Sequence, residues 1–249
     1  MTVPIIIDVA DGVLSITWNY PERLNAFSTA MLSAAAEAIE TASDNVRLIV
    51  VRGAGRAFSS GGDVGGLNVE MINSGHRLVR AITRARHPVI SGVNGPAVGI
   101  GCSIAVAADL TLAKRSSYFL MPFVSLGLMP DGGSTELLAA SIGRARAHQM
   151  VMLGERLSAD DAAQLGLIYK SVPDETFDDE FGLLVSKMRN GPTQALAATK
   201  KAITATTLSQ LDEALDRECA TQLGLLETRD GREGRCAFLE KRKAVFVGQ

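Results

Sequence analysis

The 249-residue chain carries 25 basic and 27 acidic side chains, a formal net charge of −2. That balance offers no electrostatic footprint for nucleic acid or an anionic membrane surface. Hydrophobic residues at 47% and charged residues at 21% exclude a disordered chain, and aromatics at 5% leave few rings for stacking on single-stranded nucleic acid.

The length suits one α/β domain, or one such domain with an appendage. Met1–Gly12 (MTVPIIIDVADG) has no basic start and no long apolar core, so it reads as a first strand and not as a signal peptide. Ile5–Val9 and Val13–Trp18 are β-branched runs joined at Asp11-Gly12, a hairpin signal. Pro21–Asn25 is a polar loop. Ser28 is placed as an N-cap ahead of Met31, Leu32, Ala35 and Ile39, which recur at helical spacing. Val46–Val51 and Val89–Val93 are short, largely apolar strands of the kind buried in covered sheets. Gly99–Ala107 is small and apolar, as a buried helix requires. Asp109–Ala113 and Tyr118–Met121 read as strands, Gly132–Ser141 and Arg144–Leu153 as helices. No apolar run approaches the roughly 20 residues of a membrane span.

The last quarter changes character. Thr176–Asn190, Pro192–Thr206, Leu208–Leu225 and Thr228–Lys243 all read as helices, with Pro192 suited to a first turn. The expected division therefore falls at Gly191-Pro192, into a core of residues 1–191 and a helical region of residues 192–249. Leu208, Leu211, Leu215 and Cys219 form its apolar face, fitted to dock on the core or on a sister subunit. Cys102, Cys219 and Cys236 are odd in number and unpaired in spacing, which fits free thiols in a reducing cytosol.

Three segments carry chemical signals. Ala57–Val64 (AFSSGGDV) follows a strand, and its two glycines allow a sharp turn and close approach to a ligand. Asp63 is positioned to cap a following helix. Asn94–Ser103 (NGPAVGIGCS) opens a helix at Gly99 and Gly101, where free N–H groups backed by the helix dipole can stabilise an anionic oxygen. It is not a dinucleotide loop: the third glycine and the distal acid are missing. Leu126–Thr135 (LGLMPDGGST) sets Asp131 beside Phe123, Leu126, Leu128 and Met129, an apolar wall able to raise its pKa for proton shuttling. The plainer alternative is that Asp131 caps the helix starting near Gly132. His76, His87 and His148 have no partner spacing, and no Cys/His/Asp cluster has metal-ligand spacing.

In this order and spacing, the segments resemble the enoyl-CoA hydratase/isomerase (crotonase) superfamily. The likeness includes PERLNA at Pro21–Ala26, AFSSGGDV, HPVISGVNGPAVGIGCSIAVAADLTLA from His87, GLMPDGGST, GERLSADDAAQLGLI from Gly154, and AFLEKRKAVF near the end. It implies an α/β fold, a spiral of ββα turns followed by a helical C-terminal trimerisation region, with trimers often paired into hexamers. It implies an acyl-CoA thioester as substrate, with coenzyme A entering only as part of that substrate and no permanently bound cofactor. The family's oxyanion hole of two backbone N–H groups maps onto Gly62 and Ile100. Glycine is common at the second position; isoleucine keeps the N–H and is expected to narrow the pocket. Arg23 matches a position that holds CoA phosphates in relatives. Ala26, Ser60, Gly61, Asp63, Val64, Pro122, Phe123 and Leu126 are the further substrate-binding positions.

The resemblance also exposes departures. Hydratases of the family use two glutamates, and their positions here are Ser103 and Phe123. Neither can position and deprotonate water near neutral pH. Asp131, in contrast, stands where isomerase-type relatives carry an acid. One carboxylate suffices to move a proton from C2 to C4 of a 3-enoyl thioester through a dienolate. The expected activity is therefore enoyl-CoA isomerisation, with Asp131, Gly62 and Ile100 as catalytic groups. Alternatives are hydration of 2-enoyl-CoA, an aroyl-CoA dehalogenase-like use of Asp131 as nucleophile, and a non-catalytic acyl-CoA-binding protein.

Overall fold

The computed structural model describes residues 4–249. Its first hairpin forms where the sequence places it. Strands β1 (Ile5–Ala10) and β2 (Val13–Trp18) pair antiparallel, and Asp11 and Gly12 both adopt positive φ, 51° and 77°. That turn geometry matches the right-handed twist of the flanking strands.

From β2 onward the chain repeats one unit: a strand in a large sheet, a short extended segment in a second layer, then a helix. In the first unit these are β2, the segment around Phe27, and α1 (Thr29–Glu40), whose N-cap Ser28 accepts from Met31 N–H. In the second they are β3 (Leu48–Gly53), the Phe58–Gly62 segment, and α2 (Val69–Arg84). In the third they are β4 (Val89–Val93), β5 (Ala97–Val98) and α3 (Ile100–Val106). In the fourth they are β6 (Leu110–Lys114), β7 (Tyr118–Leu120) and α4 (Ser134–Leu153). This is the ββα spiral that the resemblance implies.

Each layer pairs in the order of the units. In the large sheet β2, β3, β4, β6 and finally β9 (Lys170–Val172) run parallel, with β1 on the edge. In the second layer Phe27 bridges Gly62, Ser59 bridges Ala97, and β5 pairs with β7, which pairs in turn with β8 (Leu157–Ser158). The central parallel strands β3, β4 and β6 are buried on both faces, as a covered parallel sheet requires, whereas the edge strand β1 is largely exposed. Leu14, Ile16, Ile49 and Val51 face a core shared with α1, α2 and α3, where Trp18 meets Phe27 edge-to-face at 4.8 Å. Leu48, Val50, Ile90 and Leu112 face Phe177 and Phe181 of α6 (Phe177–Arg189), which follows the short α5 (Ala159–Gln164).

Some elements differ from expectation. Asp63 accepts only from Gly65 N–H in a single 3-10 turn at Val64–Gly66; the long helix α2 starts later, capped by Asn68. The two helices expected over residues 132–153 do form, as the two halves of α4 separated by a kink at Gly143, where φ 75° and ψ 159° are non-helical. The tail folds as α7 (Thr193–Thr207), α8 (Leu211–Glu227) and α9 (Arg229–Leu239), the last ending short of Lys243. The buried face of α8 is Leu211, Ala214, Leu215, Glu218, Gln222 and Leu226. Cys219, expected on this face, is partly buried against the Ile72, Leu128 and Leu226 cluster, and the face also takes in two polar residues.

Candidate active site

The second layer builds the site. Phe27 N–H donates to Gly61 O, and Asp63 N–H donates to Phe27 O. Those two bonds occupy one side of the strand-like segment and leave Gly62 N–H on the other. On that other side, Ser59 N–H donates to Pro96 O and Val98 N–H donates to Ser59 O, but the ladder stops there. Gly61 breaks it with φ 94°, and its own N–H turns to Ser59 Oγ at 3.0 Å. A Cβ on Gly61 would lie 2.9 Å from Val98 O, so glycine is required both by conformation and by close approach.

The facing loop ends similarly. Gly99 N–H donates to Leu120 O, and Gly99, at φ 55° and ψ −129°, starts α3 without any side-chain cap. Ile100 N–H is the first of the helix and has no intrahelical acceptor. Among the described residues neither Gly62 N–H nor Ile100 N–H donates a hydrogen bond. Both residues border the same pocket, of about 130 Å³. Two N–H groups without protein acceptors, at residues bordering one apolar pocket, are of the kind that can stabilise an anionic oxygen.

Ile100 is expected to narrow the pocket, and it does border it. Much of its side chain goes elsewhere. A Cβ on Gly75 would meet its Cδ1 at 3.2 Å, and one on Gly132 would meet it at 2.3 Å. Two glycines make room for this isoleucine, one on α2 and one beside Asp131.

Asp131 borders the pocket and is 5% exposed. It is not the cap of α4. The N-cap is Gly133, and Glu218 of α8 performs the capping instead: its Oε2 accepts from Gly133 N–H at 2.6 Å and its Oε1 from Thr135 N–H at 3.0 Å. Asp131 Oδ2 accepts from Gln222 Nε2 at 3.3 Å, and Oδ1 has no protein partner. Burial, and after it the charge of Glu218, pushes the Asp131 carboxyl up to about 7; the Gln222 hydrogen bond pulls it back. A carboxylate poised there can both take and return a proton near neutral pH.

Ser60, Gly61, Val64, Pro122, Phe123 and Leu126, expected to contact substrate, all border this pocket. Arg23, Ala26 and Asp63 do not. Arg23 and Asp63 form a 3.8 Å ion pair with both side chains about half exposed, and Ala26 adjoins Phe27 in the neighbouring segment. Of the two positions that carry glutamate in hydratases, Phe123 is an apolar wall of the pocket. Ser103 is fully buried outside it, its hydroxyl donating to Asp131 O at 3.0 Å. Asp131 is thus the only acid among the described residues bordering the pocket.

Glu218, Gln222 and Phe238 are site features that the sequence reading missed. Phe238 of α9 contributes to the pocket wall. The missed signal was polarity on a buried stripe: Glu218 and Gln222 continue the Leu211–Leu215 spacing of α8.

The chain matches the enoyl-CoA hydratase/isomerase family over residues 8–249. The chain belongs to this family. It is 39% identical to a probable enoyl-CoA hydratase of Rhodobacter capsulatus over 249 residues, covering 97% of each chain. It is 38% identical to the 1,2-epoxyphenylacetyl-CoA isomerase of Escherichia coli, again covering 97% of each. A crystal structure of an enoyl-CoA hydratase from Mycobacterium avium subsp. paratuberculosis superposes with a TM-score of 0.94 at 41% identity, covering 98% of both chains. As a member of this family the protein is an α/β enzyme of acyl-CoA thioesters, with a helical C-terminal region. Among the described residues no helix is long and apolar enough to cross a membrane, and no cluster of three or more His, Cys, Asp or Glu is placed to hold a metal ion.

Proposed function

We propose that this enzyme is an enoyl-CoA isomerase that moves a double bond from the 3 to the 2 position by a single-base mechanism. The observation that carries the reading is that Asp131 is the sole carboxylate bordering the pocket among the described residues. The Asp131 carboxylate takes a proton from C2. The electron pair passes into a dienolate whose thioester oxygen receives the N–H groups of Gly62 and Ile100. The protonated Asp131 then returns the proton to C4, and no water is consumed. Phe123 and Leu126 keep the reacting carbons away from solvent. Arg23, half-exposed and paired with Asp63 outside the pocket lining, is assigned to the CoA phosphates. Self-association belongs to the same reading, and the exposed Met152, Leu153, Leu183 and Ile203 give it an apolar surface to bury.

Two relatives pull in different directions. The E. coli protein is named for an isomerisation of a CoA ester, which supports this reading. The R. capsulatus protein is named a probable hydratase. Purified enzyme with trans-3-hexenoyl-CoA is expected to yield the 2-enoyl ester, with C2 deuterium exchange in D2O. Fast hydration of crotonyl-CoA would overturn the single-base argument. Tight CoA-ester binding without any exchange would make the chain a binding protein.

A further inference from the structure

The Asp131 carboxylate is held by one face of α8, a helix that lies more than 80 residues further along the chain. Gln222 is fully buried, and both polar atoms of its amide are hydrogen-bonded. Its Oε1 accepts from Met129 N–H at 3.2 Å, and its Nε2 donates to Met129 O at 3.0 Å and to Asp131 Oδ2 at 3.3 Å. Two acceptors facing Nε2 and one donor facing Oε1 leave the amide a single orientation. Gln222 therefore ties the main chain of Met129 and one oxygen of Asp131 together, while Oδ1 remains without a protein partner.

One turn earlier on the same face stands Glu218, 1% exposed. Its two oxygens accept three hydrogen bonds: Gly133 N–H, Thr135 N–H, and the Thr135 hydroxyl at 2.6 Å. Burial pushes its carboxyl up from the ordinary range, and the Thr135 and Gly133 donors pull it back. N–H donors on both oxygens and the start of α4 in front of it favour the anionic form of Glu218. Among the described residues no Lys or Arg forms an ion pair with it, and the Arg217 charge is the weakest of the influences that lower its carboxyl pKa. His76 Nε2 lies 3.9 Å away, beyond hydrogen-bond reach, and burial, with Arg80 behind it, holds that imidazole down to about 4, so the ring is neutral. Arg80 itself is engaged by Asp212 and Asp216. Cys219, the remaining titratable group of α8 near Asp131, has its thiol pushed up by burial and stays neutral. Ser103 of α3 contributes only its hydroxyl, bonded to Asp131 O.

Building on the single-base reading, we propose that Gln222 and Glu218 are a pair of positioning residues with opposed effects on Asp131. Gln222 fixes Oδ2 through its amide hydrogen and favours the carboxylate. Glu218 sets a second negative charge nearby and favours the carboxylic acid. The proton is carried on Oδ1. Neither residue borders the pocket, so neither touches substrate.

The test is the pH dependence of kcat/KM on trans-3-hexenoyl-CoA, which rises as the free-enzyme base loses its proton. In Gln222→Leu that rise is expected to move to higher pH by about half a unit or more, because a donor to the carboxylate is lost. In Glu218→Gln it is expected to move to lower pH, because a like charge is lost. Gln222→Met keeps the side-chain length and must repeat the Leu result. Thermal unfolding and CoA-ester binding identify the folded variants, and if Glu218→Gln does not fold, the two Gln222 variants decide alone. Shifts of opposite sign support the proposal. A loss of rate with the pH midpoint unmoved in folded variants overturns it and leaves α8 a purely structural prop. Asp131→Asn separates the two layers of argument: if it keeps its exchange activity the single-base reading falls, whereas an inactive Asp131→Asn with unmoved Gln222 and Glu218 profiles removes only this inference.

Discussion

The two walls of the pocket are built on opposite principles. One wall is backbone: Gly62 and Ile100 offer N–H groups whose chemistry is independent of the side chain. What the sequence must protect there is conformation, and it does so with Gly61 and Gly99 at positive φ. The other wall is a side chain. Asp131 matters for its carboxyl group, and its orientation and proton affinity depend on residues of α8 far along the chain. The first wall tolerates a change of side chain but not of φ. On the proposed mechanism the second tolerates no change of the functional group.

The largest expected effect breaks the second wall. Asp131→Asn should lower isomerase turnover by about 10³-fold, within the range lost with a general base, while the Kd for a saturated acyl-CoA stays within a few-fold. Steady-state kinetics and calorimetric titration check both halves. A loss of binding equal to the loss of turnover would mean that Asp131 builds the pocket and does not act in it.

Gly61→Ala should strain the first wall from within. At φ 94° and with a Cβ 2.9 Å from Val98 O, the loop must shift, and Gly62 N–H moves with it. Losing one oxyanion donor costs about 10²-fold or more in kcat. Wild-type kcat in this variant would show that Gly62 N–H is not used.

Ile100→Ala sharpens the contrast because it keeps the N–H and removes the side chain. Turnover should fall less than about tenfold, since the donor remains. Stability should fall by about 2–4 kcal/mol, because the crevice between Gly75 and Gly132 is emptied. Denaturant unfolding beside kcat gives both numbers. The reverse pattern, a stable but dead variant, would assign Ile100 a role through its side chain.

The smallest effect lies in stability against pH. The folded-state pKa of Asp131, about 7, is raised above its ordinary value of 3.8. The folded protein therefore holds this proton more tightly than the unfolded chain. The stability tied to it is complete below about pH 4 and is lost as pH rises through 7. Asp131→Asn removes the ionisation, so the variant should gain stability relative to wild type as pH rises from 4 to 8, and almost nothing at pH 4. Melting temperatures across that range check the sign. A gain confined to acid pH would contradict the buried-carboxyl assignment.

Much of the fold is legible along the chain because the cause is local. Asp11-Gly12 tolerates the positive φ of the hairpin turn, Ser28 reaches Met31 N–H, and apolar strands such as Val89–Val93 announce burial on both faces. Other elements are silent for equally physical reasons. At two and three residues, β8 and β9 are too short to show a period and exist only because neighbouring strands offer them partners. The start of α2 was expected directly after Asp63, yet Gly65 and Gly66 favour a 3-10 turn, and Asn68 supplies the cap one turn later. The site divides likewise. The glycine-rich loops and Asp131 stand out in the sequence because their residue types are unusual for their surroundings. Glu218 and Gln222 do not, because a polar residue in a helix ordinarily faces water.

By itself, then, the sequence determined the repeated strand–loop–helix units, the two loops able to present free N–H groups, and the single acid of the GLMPDGGST segment. Those are properties of residue type and nearest-neighbour conformation. Tertiary structure alone decided that Asp131 is a buried carboxyl and not a helix cap. That outcome required Glu218, 87 positions away, to take the start of α4, and Gln222 to take one of the Asp131 oxygens. Burial, charge and hydrogen bonding act through space, and only the folded chain brings α8 to that loop.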